Sequence, residues 1–262
     1  MEETKQEHLL QDIMEAMRGA GEIMLSASDI ERSVHTKEGK NNFVTDYDKK
    51  VQAFLFEKLA LLLPEAVFIG EEEEHHPQLP EGYAFVIDPI DGTTNFMKGY
   101  CASCISVGLL KAGQPLMAAV YNPYLNEMFT ARKGKGAFCN GRPIHVSEHE
   151  LKDGLVIFGT SPYYEEFLRQ PFDLAYEFLQ KCIDVRRSGS AAIDLCNIAC
   201  GRAELYFELM LSPWDFAAGA LIVEEAGGCV LGVDGKPLSF DKKSGVVAGN
   251  PKTITCWKDI TL

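Results

Sequence analysis

The segment Asp88-Pro89-Ile90-Asp91-Gly92-Thr93 constrains the fold of this chain more than any other stretch. Residues 83–87, which precede it, form a nearly continuous apolar and aromatic run, and such a run predicts a short buried strand. The proline cannot donate to a sheet ladder and the glycine permits a tight backbone path, so we expect a turn where the strand ends. That turn would hold the carboxylates of Asp88 and Asp91 close together. Paired carboxylates on a turn favour a hard cation.

Two threonines, Thr93 and Thr94, follow the glycine and are predicted to open a helix. The free N–H groups at a helix start bind anions, so we expect a phosphate beside the cation. A calcium hand is excluded, because its third loop position needs an oxygen ligand and Ile90 stands there. An aspartyl-phosphate nucleophile of the Asp-x-Asp type would need a carboxylate at the same position. The alternative is that Asp88 and Asp91 are only turn formers, since Asp-Gly is a common turn dipeptide.

Composition limits the partners of the protein. The chain has 262 residues, of which 46% are hydrophobic and 24% charged, as in ordinary soluble globular proteins. Its 25 Lys and Arg against 38 Asp and Glu give a net charge of −13. This charge repels nucleic acid and anionic membranes, so we expect neither as a partner. A small phosphate ester would need local cations to bind.

Several features predict a cytoplasmic protein. Residues 1–11 are charged and lack the pattern of a secretory signal, and no stretch is long enough to span a membrane. The eight cysteines are scattered through apolar segments, where reduced core thiols are expected. The pair Cys101 and Cys104 is an isolated C-x-x-C and is interpreted as core packing rather than a metal or redox site.

The two halves of the chain differ in pattern. Apolar spacing predicts a long amphipathic helix over Thr4–Leu25, and residues 105–132 are typical of a meander of strands. After about residue 150, short strands and helices alternate. We therefore predict an N-terminal α+β half over residues 1–150 and a C-terminal α/β half over residues 151–262. The first carries Glu71, Asp88 and Asp91, and the second carries Glu208 and Asp215.

Two further carboxylates are candidates for the same site. Glu71 follows a predicted strand over Val67–Ile69, and it would lie beside Asp88 if the two strands are neighbours in the sheet. The alternative is that the four consecutive glutamates that begin there form a solvated run. Asp215 lies in the first turn of a predicted helix that begins at Pro213, where it could also be only a helix cap.

Three blocks in this order resemble the inositol monophosphatase family: Gly70-Glu71-Glu72, the segment from Asp88 to Phe96, and Trp214-Asp215-Phe216-Ala217-Ala218-Gly219. The resemblance also includes residues 42–48, 189–192 and 224–228, so it covers nearly the whole chain. It implies an α+β fold with a layered α-β-α-β-α sandwich of the sugar-phosphatase type. It further implies Mg²⁺-dependent hydrolysis of phosphate monoesters, inhibition by lithium and a homodimer.

Matching positions imply the metal ligands. Glu71, Asp88 and the Ile90 carbonyl resemble the first metal site, and Asp88, Asp91 and Asp215 resemble the second. Two Mg²⁺ ions are expected, and a third is left open. The carboxylate of Asp88 would bridge the two.

The resemblance also implies the residues that contact water and substrate. Thr93 and Glu71 would orient the attacking water, and the amides of Gly92 and Thr93 would hold phosphate oxygens. The expected substrate contacts are Asp91, Gly92, Thr93, Arg186, Ala191, Glu208 and Asp215. Among these, Glu208 matches a contact to sugar or inositol hydroxyls, and Ala191 a backbone contact.

Some positions depart from the family pattern. Asn42 stands where many relatives carry Asp, and Lys98 stands where His is common. The first change leaves the third cation open, although Lys37 in the preceding loop remains a candidate contact to phosphate. The expected substrate is inositol-1-phosphate, with fructose-1,6-bisphosphate and a nucleotide or NADP phosphate as alternatives. A non-catalytic regulatory binding protein on the same scaffold is the alternative from another class.

Overall fold

Helices and two stacked sheets form the computed structural model, which describes residues 2–37 and 42–257. The helices are α1 (Glu3–Leu25), α2 (Asp46–Leu62), α3 (Thr93–Met97), α4 (Gln170–Leu179), α5 (Ala191–Ala199), α6 (Pro213–Glu225) and α7 (Ile254–Trp257). The strands are β1 (Val34–Thr36), β2 (Phe43–Thr45), β3 (Val67–Gly70), β4 (Tyr83–Asp91), β5 (Cys104–Lys111), β6 (Gln114–Asn122), β7 (Glu127–Arg132), β8 (Ala137–Cys139), β9 (Arg142–Ile144), β10 (Leu155–Phe158), β11 (Asp184–Arg186), β12 (Leu205–Leu211), β13 (Cys229–Gly232) and β14 (Ser244–Gly249).

The larger sheet has seven strands in the order β3-β4-β5-β6-β7-β8-β9. Its first pair, β3 and β4, is parallel, and every other neighbouring pair is antiparallel. The smaller sheet has five strands in the order β11-β10-β12-β14-β13. Strand β10 is parallel to both of its neighbours, and β14 is antiparallel to both of its own. Strands β1 and β2 form a separate antiparallel pair.

Five layers follow from the way the apolar faces are buried. One side of α1 is apolar at helical spacing and packs with α2 against the outer face of the larger sheet. Helices α5 and α6 lie between the two sheets. Every residue of α6 from Phe216 to Val223 is buried, as expected for a helix covered on all sides. Helices α4 and α7 cover the far face of the smaller sheet. The predicted α-β-α-β-α sandwich of the α+β class is confirmed.

The strand that leads to the site is longer than expected. The prediction that it ends in a turn after residue 87 is wrong, because β4 continues to Asp91. Its pairing with β5 is irregular between Asp88 and Asp91, where Pro89 has no N–H to donate. The turn comes at Gly92, which has a φ of +86°, and a Cβ there would lie 3.1 Å from the Ala102 carbonyl oxygen.

The predicted boundary near residue 150 falls between β9 and β10, so the larger sheet draws on residues 67–144 and the smaller on residues 155–249. The two parts share one apolar cluster, in which residues such as Val86 and Ile157 pack with α5 and α6. All eight cysteines are free thiols, with Cys104 buried and Cys101 exposed. Across residues 2–37 and 42–257, no helix has the length and apolar character needed to cross a membrane.

Candidate active site

The parallel pairing of β3 and β4 brings Glu71 beside Asp88. Gly70 is aligned with Ile87 in the register of the two strands. The next residue, Glu71, donates its backbone N–H to the Ile87 carbonyl at 3.1 Å. The first glutamate of the acidic run is therefore fixed to the sheet, and it is only partly exposed.

Two cavities lie where these strands end. The first, here called the acidic cavity, has a volume of about 250 Å³. It is lined by every predicted metal ligand, namely Glu71, Asp88, Ile90, Asp91 and Asp215, and also by Gly92, Thr93 and Glu208. The second, here called the side chamber, has a volume of about 350 Å³ and shares Asp91, Gly92, Thr93, Glu208 and Asp215 with the first. Tyr163 lines both, and the side chamber adds Arg187, Ala191 and Asp194. Three distant parts of the chain thus meet at one place.

The carboxylates of the acidic cavity repel one another. Burial raises the pKa of Asp88 well above its usual value, and the charges of Glu71, Asp91 and Asp215 raise it further. Burial also raises the pKa of Asp215, again with the charges of Asp91 and Glu71. Such a set of close carboxylates, two of them buried and two partly buried, is unfavourable without a compensating positive charge.

Protein donors hold Asp91 in place. One of its oxygens, Oδ2, accepts from the Ser190 hydroxyl at 2.5 Å and from the Ala192 amide at 2.7 Å. Burial nevertheless raises the pKa of Asp91 to about 6, because it outweighs these hydrogen bonds. The first turn of α5 is thereby fixed to the end of β4.

The carboxylate of Asp215 serves two purposes. Its Oδ2 accepts from the Ser212 amide at 2.7 Å, as part of a capping box at the start of α6. The same side chain lines both cavities. The two interpretations left open for Asp215, helix cap and site carboxylate, are therefore compatible.

The donor set fits a hard divalent cation. Carboxylate and carbonyl oxygens are the ligands that Mg²⁺ prefers, and the charges described above would be neutralised by it. Among the described residues, no three His, Cys, Asp or Glu side chains are already gathered tightly enough to hold an ion. Protein donors engage one oxygen of each of Glu71, Asp91 and Asp215, so a cation would be held by the other oxygen of these carboxylates.

Thr93 meets a carboxylate that the sequence did not identify as part of the site. The Thr93 hydroxyl lies 3.1 Å from Asp48 Oδ1 and 3.2 Å from the Ile90 carbonyl oxygen. Asp48 is fully buried, and its Oδ2 accepts from the amide and the hydroxyl of Thr45 at 2.7 and 2.6 Å. Thr45 and Asp48 also form the capping box at the start of α2.

Glu208 is partly buried, and its oxygens are engaged by protein donors. Oε1 accepts from the Ser161 amide at 3.0 Å and lies 3.3 Å from the Ser161 hydroxyl. The Tyr206 hydroxyl donates to Oε2 at 3.0 Å. The carboxylate lines both cavities with its orientation fixed, as a predicted contact to substrate hydroxyls requires.

A lysine closes one side of the acidic cavity. Lys37 Nζ lies 3.0 Å from Glu71 Oε1 and 2.6 Å from Glu72 Oε1. Residues 38–41, which follow Lys37 in the same loop, lie outside the described residues. Asn42 also lines this cavity. Lys98 is exposed, 3.8 Å from Glu31, and lines neither cavity.

The predicted contact through Arg186 is not supported by its position. Its guanidinium is exposed and bonded to Asp184 and to the Val185 carbonyl oxygen, and it lines neither cavity. The next residue, Arg187, lines the side chamber instead, with Nε 3.2 Å from the Thr160 hydroxyl. Adjacent residues leave β11 on opposite sides, which explains the difference. Ala191 lies in the side chamber, as predicted.

Known proteins resemble this chain over most of its length. A profile of the inositol monophosphatase family matches residues 5–258. Nus factor SuhB of Salmonella typhimurium strain LT2 is 35% identical over 241 residues, which are 91% of this chain and 90% of SuhB. The chloroplastic phosphatase IMPL1 of Arabidopsis thaliana is 38% identical over 257 residues, which are 94% of this chain and 69% of IMPL1. The solved inositol monophosphatase of Anabaena (Nostoc) sp. PCC 7120 has a TM-score of 0.83 and 33% identity, covering 94% of this chain and 92% of its own. This chain belongs to the inositol monophosphatase family.

Proposed function

We propose that the protein is a Mg²⁺-dependent phosphomonoesterase that hydrolyses inositol-1-phosphate to inositol and phosphate. The observation that carries this proposal is the meeting of Glu71, Asp88, Asp91 and Asp215 in one cavity with Thr93. Carboxylates of a purely structural role would be placed apart, because their mutual repulsion destabilises the fold.

The proposed metal ligands are the five residues of the acidic cavity. Glu71, Asp88 and the Ile90 carbonyl would hold one cation, and Asp88, Asp91 and Asp215 a second. Bound there, divalent cations would neutralise the phosphate and the leaving oxygen and lower the pKa of water. Whether a third binds is left to experiment, since Asn42 stands at a position where relatives carry Asp.

Chain residues would orient the water. The Thr93 hydroxyl has two acceptors, Asp48 Oδ1 and the Ile90 carbonyl, and it has one hydrogen to donate. Donation to either leaves its oxygen lone pairs free to accept a hydrogen from water in the cavity. Glu71 would accept the second hydrogen of that water. Fixing both hydrogens directs the water lone pair at phosphorus.

Other residues would bind the ester. The backbone amides of Gly92 and Thr93 are proposed to donate to phosphate oxygens. Lys37, which lines the acidic cavity, would contribute a positive charge that attracts the phosphate. The leaving alcohol would enter the side chamber, where Glu208 and the backbone at Ala191 can contact its hydroxyls. Donors fixed before the reaction contribute without reorganisation during it.

The alternatives of the same chemistry are fructose-1,6-bisphosphate and a nucleotide or NADP phosphate. Thr94 and Asn95 favour the inositol-type branch, since nucleotide-type relatives more often carry Lys-Glu there. Asn95 bonds the Ala102 and Ser188 carbonyls at 2.7 and 2.9 Å, which joins α3 to the edge of the side chamber. Specificity is set by the shape of this chamber.

A non-catalytic binding role is the alternative from another class. A specific observation favours it: the bacterial relatives at 35% identity are named Nus factor SuhB rather than phosphatase. Against it, none of the carboxylates that would bind metal is missing from this chain. A protein that has lost its catalytic activity has no requirement to keep four mutually repelling carboxylates in one cavity.

A panel of substrates tests the proposal. Phosphate release would be measured with Mg²⁺ from inositol-1-phosphate, fructose-1,6-bisphosphate, glycerol phosphates and NADP. We expect the highest kcat/KM with inositol-1-phosphate. A strong preference for NADP or the bisphosphate would assign the protein to that branch, and no release from any substrate would favour the binding role. The predicted homodimer is tested separately by the mass in light scattering.

A further inference from the structure

Asp194 is a buried carboxylate in the wall of the side chamber. It lies in the first turn of α5 and is 2% exposed. The chamber also contains Arg187 and Glu208. Neither the proposed metal ligands nor the proposed water contacts make use of Asp194.

One oxygen of this carboxylate has no hydrogen-bond partner. Within residues 2–37 and 42–257, only two buried side-chain atoms lack one, Asp194 Oδ1 and Arg132 Nη1. The Ser188 hydroxyl also contacts this carboxylate, but the Ser190 carbonyl oxygen accepts its single hydrogen at 3.1 Å as well, so Ser188 does not satisfy both Asp194 oxygens. Buried polar atoms are almost always paired, so an unpaired carboxylate oxygen in a cavity wall indicates a missing donor.

The helix itself does not explain the carboxylate. The N-cap of α5 is Ser190, whose hydroxyl accepts from the Ile193 amide at 3.3 Å. Asp194 comes four residues later, and its own amide already donates to the Ser190 carbonyl at 3.0 Å. A capping role for this side chain is therefore not needed.

The surroundings of Asp194 disfavour its charge. Burial raises its pKa well above the usual value despite a hydrogen bond from Ser188, and Glu208 and Asp91 add repulsion. Arg187 acts in the opposite direction. Ser188 and Arg187 offset only part of this cost, and a hydrogen-bond donor from a ligand would offset more of it.

We propose that Asp194 is a specificity-determining residue that accepts a hydrogen bond from a hydroxyl group of a polyol leaving group. This inference rests on the proposed phosphomonoesterase function. Arg187, which lines the same chamber, would donate to a neighbouring hydroxyl oxygen of that polyol. The chamber would thereby select esters of polyhydroxylated alcohols over esters of apolar alcohols.

The test compares inositol-1-phosphate with cyclohexyl phosphate, which has the same ring and no hydroxyl groups. The kcat and KM of both would be measured for wild type, Asp194→Ala and Asp194→Asn. Asp173→Ala is the matched control, because Asp173 lies in the first turn of α4 and is exposed. Asp194→Leu, which has no acceptor but fills the space, replaces Asp194→Ala if that variant does not fold.

We expect Asp194→Ala to lower kcat/KM for inositol-1-phosphate about tenfold or more, mainly through KM. The kcat/KM for cyclohexyl phosphate should be unchanged, and Asp194→Asn should recover part of the loss, because its amide oxygen accepts a hydrogen bond. The Tm of Asp194→Asn should be no lower than that of wild type. Asp173→Ala should leave both substrates unchanged.

Equal losses for both substrates, or unchanged kinetics in Asp194→Ala, would overturn the inference. A lowered Tm in Asp194→Asn together with equal losses would assign a structural role. If wild type hydrolyses both esters with the same kcat/KM, only this inference fails. If wild type hydrolyses neither ester, the proposed phosphomonoesterase function is contradicted, and with it the inference that rests on that function.

Discussion

Asp48 Oδ1 lies 3.1 Å from Thr93 Oγ1, although 45 positions separate the two residues. The contact joins the first turn of α2 to the first residue of α3. Two donors of Thr45 hold the other oxygen of Asp48, so the carboxylate cannot rotate freely. The hydroxyl that is proposed to orient water is therefore fixed from a segment that carries none of the proposed metal ligands.

The first prediction concerns this contact. In Asp48→Asn, the amide oxygen should turn to the two Thr45 donors, which leaves the NH₂ group facing Thr93. That group cannot accept the Thr93 hydrogen, so we expect kcat to fall by about 10² with little change in KM. The measurement is the steady-state hydrolysis of inositol-1-phosphate.

Two controls separate positioning from stability. Thr45→Ala removes the hydroxyl of the cap and should lower Tm while keeping most of kcat. In a Thr93→Ala background, Asp48→Asn should lower kcat little further, because Asp48 acts through Thr93. Fully additive losses would show that Asp48 does not act through Thr93.

The second prediction is an acid limb in the pH profile. Burial raises the pKa of Asp48 to about 6, and the charge of Glu71 adds to it. Below that pH the Asp48 carboxylate binds a proton and is a weaker acceptor for the Thr93 hydroxyl. Because this hydroxyl is then less well oriented, kcat should fall as pH falls. A cation at Glu71 would remove the repulsion, which places the limb at or below pH 6. A kcat profile of wild type against Asp48→Asn checks this, and an identical limb in the variant would contradict it.

The third prediction concerns Glu71. Glu71→Gln should lower kcat by about 10² to 10⁴ with a smaller effect on substrate binding, because it removes a proposed contact to water and a metal ligand. Glu73→Gln is the matched control from the same acidic run. Glu73 bonds Gln52 and lines neither cavity, so that variant should be nearly normal. Near-normal rates in Glu71→Gln would show that Glu71 neither binds a required cation nor orients the attacking water.

The fourth prediction concerns Asp215. Asp215→Asn keeps an acceptor for the Ser212 amide and loses one negative charge. We expect a higher Mg²⁺ concentration at half-maximal rate, a lower kcat and a changed response to Li⁺. Lithium is proposed to compete for this site with too little charge for turnover. Ser212→Ala changes a neighbouring side chain of the same cavity but keeps the backbone amide that donates to Asp215, so it should keep the wild-type Mg²⁺ requirement. An unchanged Mg²⁺ and Li⁺ response in Asp215→Asn would show that Asp215 is only a helix cap.

Much of the fold could be predicted because local patterns and the family resemblance agree. The apolar spacing of α1 places that helix almost to the residue, since one face packs on the larger sheet. The end of β4 could not be predicted, because a single proline removes one donor but the strand resumes its pairing at Asp91. The strand propensity of the neighbouring residues does not predict this long-range pairing.

Among the side chains of the site, too, some positions could be predicted from the sequence and others could not. That Glu71 lies beside Asp88 could be predicted, because each residue lies at the end of one of two neighbouring strands and strand pairing is regular. Asp48 was missed because a residue three positions after Thr45 at a helix start is already explained as a cap. The choice between Arg186 and Arg187 depends on where β11 ends, and one residue reverses the side. Whether Asp194 has a partner depends on the neighbouring loop, which no sequence pattern specifies.

The fifth prediction tests the central claim most directly. Inorganic phosphate released from inositol-1-phosphate would be measured as Mg²⁺ is added to chelated and dialysed protein, for wild type and for Asp88→Asn. Asp88 is proposed to touch both cations, so its loss should affect the reaction more than the loss of any other ligand. We predict a saturable Mg²⁺ dependence in wild type, no release after chelation, and at least a 10³-fold lower rate in Asp88→Asn. Release that persists after exhaustive chelation, or that is equal in wild type and Asp88→Asn at every Mg²⁺ concentration, would contradict the account.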